Sequence, residues 1–202
     1  MSEQGWRKSV VEYIRLEAQP QDKFGHQPRL YALASKIGEG MTYDDDILFA
    51  AVWMHDLGVF SGHRPQDLEQ LSRWDHVPYT IARSRELLQG WGFPAEKLHG
   101  VEEAIRNHQA KDEPTTVEAT LLRDADILEQ LGAVGILRAA VKVGRDTRYP
   151  NFSSIVPVLS HAVNHLAEQT RLIRAKDMAH SKALMLRSFL AALHDEAGDL
   201  LH

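Results

Sequence analysis

DDDILFAAVWMHDLG, residues 44–58, holds a helix start, an apolar face and two ligand-type side chains in one run. Asp44, Asp45 and Asp46 supply an N-cap and first-turn acids, which suit the positive end of a helix. Ile47, Leu48, Ala51 and Val52 then repeat with the helical period, and His55 continues their face. The helix is expected to end near Gly58. A histidine closing an apolar stripe is ordinarily a satisfied core residue. Asp56 beside it is different, because a charged carboxylate entering an interior needs a partner.

The same period extends outward in both directions. Leu30, Leu33, Ala34 and Ile37 form one stripe, stopped at Gly38 and Gly40. Val77, Ile81, Ser84, Leu88 and Trp91 form another, ended by Gly92 and Pro94. Leu98, Val101, Ile105 and His108 share a face of a shorter helix. Val117, Leu121, Ala125 and Leu128 open a further one, punctuated by Gly132 and Gly135. Residues 61–74 and 145–154 read as connections, the first with at most a helical turn. The stretch to about His194 reads as two helices joined near 175–177. Strand alternation is hard to find, so the expectation is an all-α, single-domain helical bundle.

Composition sets the chemistry. A chain of 202 residues fits one domain and buries enough surface to need no covalent staple. Eleven histidines stand against no cysteine, which excludes disulfides, thiolate metal sites, iron–sulfur clusters and a thiol nucleophile. Any metal would be held by imidazole and carboxylate. The 23 Lys and Arg against 28 Asp and Glu give a net charge of −5, which disfavours a nucleic-acid polymer as partner. A small phosphorylated ligand stays compatible. No run approaches the roughly 20 apolar residues of a membrane span. The opening MSEQGWRKSVVEYIRLEAQ turns polar too early for a secretory signal. The expectation is a cytoplasmic protein with no membrane partner.

Four histidines mark helix ends: His26, His55, His76 and His108. A second concentration is Arg123-Asp124-Ala125-Asp126, two acids inside an amphipathic helix although Asp is a poor helix former. Residues two apart differ by about 200° around the axis, so the two acids face different ways. The plain alternative is a surface ion pair with Arg123 or Lys142. Asp124 lies closer to the Val117, Leu121 and Leu128 face, and periodicity does not choose between the acids. His63, Arg64 and Arg73 place polar groups in the 61–74 connection, where a loop would cover a site.

His26, the His55-Asp56 pair and an Asp of LRDADIL stand in the order H…HD…D. Together with HQPRLYALASKI, ILFAAVWMHDLGVF, DADILEQLGAVGILRAA and HLAEQTRLIRAKDMAHSKALMLRSFLAALHDE, this resembles the HD-domain superfamily of metal-dependent phosphohydrolases. The likeness is to a subgroup of small bacterial HD hydrolases and runs over about 22–196. It implies one HD-type helical domain over 1–202, its core about 22–142, with C-terminal helices about 153–198 packed on it. His26, His55, Asp56 and Asp126 would hold a divalent cation, with Asp124 the alternative fourth ligand. His76 and His108 fall where two-metal relatives carry extra histidines, or else they face phosphate beside a single metal. One or two ions of Mn, Mg, Fe, Ni, Co or Zn are implied as cofactor.

The reaction implied is attack of a metal-activated water on a phosphoester or phosphoanhydride of a nucleotide or similar small compound. Asp56, Asp124 and Arg29 are the implied catalytic residues. Asp124 would orient water or a histidine ring, and Arg29, with Arg123 and Lys111, would stabilise phosphoryl oxygens. Leu57-Gly58-Val59 lacks the lysine that some phosphodiesterase branches place after the HD pair, which counts against the cyclic-dinucleotide branch. Two other outcomes exist among such proteins. One is a di-iron oxygenase using the same ligands, and the other is a non-catalytic binding or signalling module.

Overall fold

The computed structural model describes residues 5–146 and 148–201, and among them it contains ten α-helices and no strand. Two compact units divide the chain, Met1–Arg123 and Asp124–His202, with the boundary inside helix α7 (Val117–Glu129).

The first unit is built around α3 (Asp45–Met54), whose Leu48, Ala50, Ala51, Val52 and Met54 are fully buried. Around it pack α1 (Gly5–Glu17), α2 (His26–Ile37) and α6 (Leu98–Arg106), and α5 (His76–Gly90) packs on α6. The start of α3 follows the sequence expectation. The Asp44 carboxylate accepts the Asp46 and Ile47 N–H groups at 3.0 and 3.3 Å. Three adjacent acids are tolerable there because Arg7 donates to Asp45 and Asp46, and Lys97 to Asp44 and Asp46. Burial works against the ionisation of Asp46. The bonds from Lys97 and Arg7 outweigh it, and its carboxyl titrates below the usual range.

The end of α3 departs from expectation. The helix closes at Met54 with His55 as C-cap, and Leu57–Val59 is a 3₁₀ turn. Side chains of the following segment take the backbone groups of that turn. Gly58 donates its N–H to Thr80 Oγ1 at 3.0 Å, and its carbonyl accepts Trp74 Nε1–H at 2.9 Å. Between these anchors, the expected connection contains the five-residue α4 (Leu68–Ser72), capped by Asp67.

The second unit holds the end of α7, then α8 (Gly132–Ala140), α9 (Val156–His161) with a π-helical continuation Ala162–Leu166, and α10 (Ile173–Ala197). α10 packs on α8 and α9. Gly132 takes a φ of +70°, a left-handed conformation that lets α8 start immediately after α7. The C-terminal helices do not join near 175–177 as the periodicity suggested. Ala175 lies within α10 and heads its buried stripe with Ala179, Ala183 and Leu186. The break falls at 170–172, where the buried Asp124 carboxylate accepts the N–H groups of Arg171 and Leu172, both at 2.8 Å. Those N–H groups belong to Leu172, the N-cap of α10, and to the residue before it, and Leu172 itself has no polar side chain.

Asp124→Ala should therefore destabilise the protein by roughly 2–4 kcal/mol, since two buried donors lose a charged acceptor. Asp44→Ala, an ordinary cap loss, should cost about 1 kcal/mol. Urea unfolding of both variants checks the order, and an equal or smaller loss for Asp124→Ala contradicts its role in holding residues 171 and 172.

Candidate metal centre

Helix ends deliver the site. His26 is the first residue of α2, His55 and Asp56 follow the last residue of α3, His76 is the first residue of α5, and His108 follows the C-cap of α6. All five belong to the first unit. Asp56 has left the helix, with φ −98° and ψ 8°, a sparsely allowed region where active-site residues often sit. Its carboxylate is the hub. Oδ2 stands 3.8 Å from His26 Nε2 and 3.6 Å from His55 Nε2, while Oδ1 stands 4.0 Å from His76 Nε2. The rings form a chain around it, with centroids 5.3 Å apart for His26 and His55, 5.1 Å for His55 and His108, and 5.6 Å for His76 and His108.

Two ligand groups result, His26–His55–Asp56 and Asp56–His76–His108, each with its ligand atoms within 4.8 Å of one another. Separations of 3.6–4.0 Å exceed a hydrogen bond but suit atoms that each approach one cation at about 2.1 Å. The rings are oriented for this. His55 Nδ1 lies 2.8 Å from the Val52 carbonyl and His108 Nδ1 2.6 Å from the Ile105 carbonyl. A carbonyl only accepts, so each Nδ1 carries the proton and each Nε2 keeps its lone pair for a metal. The residues present therefore fit one or two divalent ions.

Charge agrees with geometry. Desolvation pushes the Asp56 carboxyl toward the neutral form, but the surrounding His55, His26, His108 and His76 outweigh it and hold it well below the usual carboxylate range. Asp56 is an anion at any physiological pH. That suits a bridging ligand.

The other residues singled out by the sequence join neither ligand group. Asp124 is buried in the second unit with Arg171 and Leu172, while Asp126 is partly exposed and lies 3.4 Å from the Gln130 amide. Arg29 is exposed on α2. Arg123 is buried and donates to the Ala110 carbonyl, and Lys111 is exposed. His63 joins neither ligand group; Glu17 Oε2 lies 3.0 Å from its Nε2 and Tyr79 Oη 2.8 Å from its Nδ1. Arg73 pairs with Glu69. Of the histidines given no role, His99, His161, His165, His180 and His194 are all exposed, and His202 lies outside the described residues.

Sequence reasoning missed Gly58, Trp74 and Thr80. A Cβ on Gly58 would stand 2.9 Å from the His76 carbonyl, so only glycine lets the turn after Asp56 approach the start of α5 this closely. The Thr80 and Trp74 bonds to Gly58 hold that approach. One signal was available: Thr80 lies one helical turn after His76, on the face that continues to Ser84 and Leu88.

Among the described residues, no helix is long and apolar enough to cross a membrane. The family model of the HD domain matches residues 24–131. No curated protein matches the sequence. Among solved structures, Bacillus subtilis YpgQ is 21% identical with a TM-score of 0.75, over 99% of this chain and 100% of that one. The same protein in complex with ADP aligns at 0.72 over 96% and 99% of the two chains, with 21% identity. An HD-superfamily hydrolase from Bacillus thuringiensis aligns at 0.70 over 96% and 98%, with 18% identity. At such identities the likeness concerns the fold.

Thr80→Val keeps the side-chain shape and removes the acceptor of the Gly58 N–H. It should lower the affinity of the His76–His108 group for Co²⁺ by about tenfold and leave the His26–His55 group unchanged. Co²⁺ titration followed by visible absorption measures both, and equal weakening of the two groups contradicts a local role for Thr80.

Proposed function

The chain belongs to the HD-domain family, and from that premise we propose that it is a metal-dependent phosphohydrolase acting on a nucleotide or similar small phosphorylated compound. One observation carries the reading. Two ligand groups share the ionised Asp56, each offering imidazole nitrogens and a carboxylate oxygen to a cation. The histidine-rich donor set favours a transition ion (Mn, Fe, Co, Ni or Zn) over Mg. A divalent cation in such a site supplies Lewis-acid polarisation of a phosphoryl oxygen and an acidified water.

The rest is work for the chain itself. His26, His55 and Asp56 would hold one cation, and His76 and His108 with Asp56 would hold a second. In the second unit, Asp126 is the more accessible acid of its pair, whereas Asp124 holds the Arg171 and Leu172 N–H groups and acts as a positioning residue. Arg29 follows His26 by three residues on α2, a spacing that puts both side chains on one helix face. There its guanidinium stabilises phosphoryl oxygens as charge develops on them. Arg123 is withdrawn from that role by its burial against Ala110. The ADP complex of the Bacillus subtilis protein supports a nucleotide as the substrate class.

The test is a panel of nucleoside mono-, di- and triphosphates and simple phosphodiesters, each assayed with Mn, Mg, Ni and Co for release of phosphate or pyrophosphate. His55→Ala and Asp56→Ala should lose bound metal and at least about 100-fold of the activity together. Retention of both in either variant refutes the proposal.

A further inference from the structure

His161 and His165 lie four residues apart in the second unit and belong to neither ligand group of the centre. His161 is the last residue of α9, and His165 sits in the π-helical continuation Ala162–Leu166. Bonds from i to i+5 put more than four residues into each turn there, so residues four apart come nearly one above the other. Single π-helical turns are rare and occur frequently at functional sites. The two rings are neighbours, with centroids 4.8 Å apart and planes tilted by 41°. Both residues are exposed, and among the described residues neither ring makes a hydrogen bond or an ion pair.

That separation is one a shared ion requires. Two imidazole nitrogens each about 2.1 Å from one cation, at an angle of roughly 90–110°, put their ring centroids about 4.6–5.3 Å apart. Rings with no other partner keep their lone pairs for the ion, and two on successive turns of one segment chelate it without rearranging the fold. No carboxylate completes a three-ligand group with them among the described residues, so the donors are nitrogen alone, with open positions for water. Such a set selects against Mg²⁺ and Ca²⁺, which take oxygen ligands, and the order of divalent affinities puts Cu²⁺ ahead of Ni²⁺ and Zn²⁺. We propose that His161 and His165 form a separate, solvent-accessible site for a divalent transition ion, with Cu²⁺ bound most tightly. The ion bridges one turn and pins the π-helical segment, which packs on α10. The site shares no residue with the centre around Asp56, and it holds whether or not that centre is hydrolytic.

Chelation makes the second nitrogen–metal bond intramolecular, so loss of either ring should weaken the site by about 100-fold. Cu²⁺ is titrated into the full chain against a competing chelator, for the wild type and for His161→Ala, His165→Ala and His180→Ala. The last removes an exposed histidine of α10 that stands in no ring pair. At one buffered Cu²⁺ concentration, the wild type and His180→Ala should each bind one equivalent more than His161→Ala or His165→Ala. Far-UV circular dichroism checks that all four keep the same helix content, which substitutions of exposed residues leave intact. If His161→Ala and His165→Ala keep the wild-type stoichiometry and affinity, the pair is two solvated side chains and the proposal is wrong. Loss of the same equivalent in His180→Ala overturns it as well, because the ion is then held by scattered surface histidines.

Discussion

The Asp56 carboxylate is the interaction on which the centre depends. An anion in a largely desolvated setting is unfavourable unless neighbours compensate it, and a divalent cation held between Asp56 and the imidazole nitrogens would do so. The compensation is directional. One oxygen faces His26 and His55, and the other faces His76, so a single side chain joins two ligand groups. Removing the carboxylate would leave the rings facing one another with no shared anion.

Helix termini explain how five such groups reach one point. Side chains along a helix body diverge around its axis, but separate helices can each aim one end at a common centre. α2 and α5 begin at the centre, while α3 and α6 stop just before it. The histidines after α3 and α6 use the same device. Each turns Nδ1 back onto a carbonyl three residues earlier, which satisfies a helix-end acceptor and presents Nε2 outward. The Gly58 turn then ties the end of α3 to the start of α5 through Thr80 and Trp74. Glu17, His63 and Tyr79 link α1 to α5 in a similar way.

In the second unit, Asp124 shows how a buried acid can serve structure. Its carboxylate holds the Arg171 and Leu172 N–H groups just before α10, and so fixes where the C-terminal helix begins.

Much of this was legible in the chain before any folding. The apolar period from Asp44 to Val52 gave the central helix and its cap, because both are local properties of spacing and side-chain chemistry. The order His26, His55-Asp56 and a late Asp pointed to the ligand set, and the absence of Cys restricted the donors to nitrogen and oxygen. What could not be read was where helices stop and which polar groups meet. α3 ends at Met54 because residues 74 and 80 take the backbone of Gly58, and α10 begins at Ile173 because residue 124 holds 171 and 172. His63 looked like a loop residue over a site and is instead held between α1 and α5. The sequence by itself determined helix content, donor chemistry and the family pattern. Only the tertiary structure decided the sharing of Asp56 and the joint before α10, since each depends on contacts between residues tens of positions apart that no local period records.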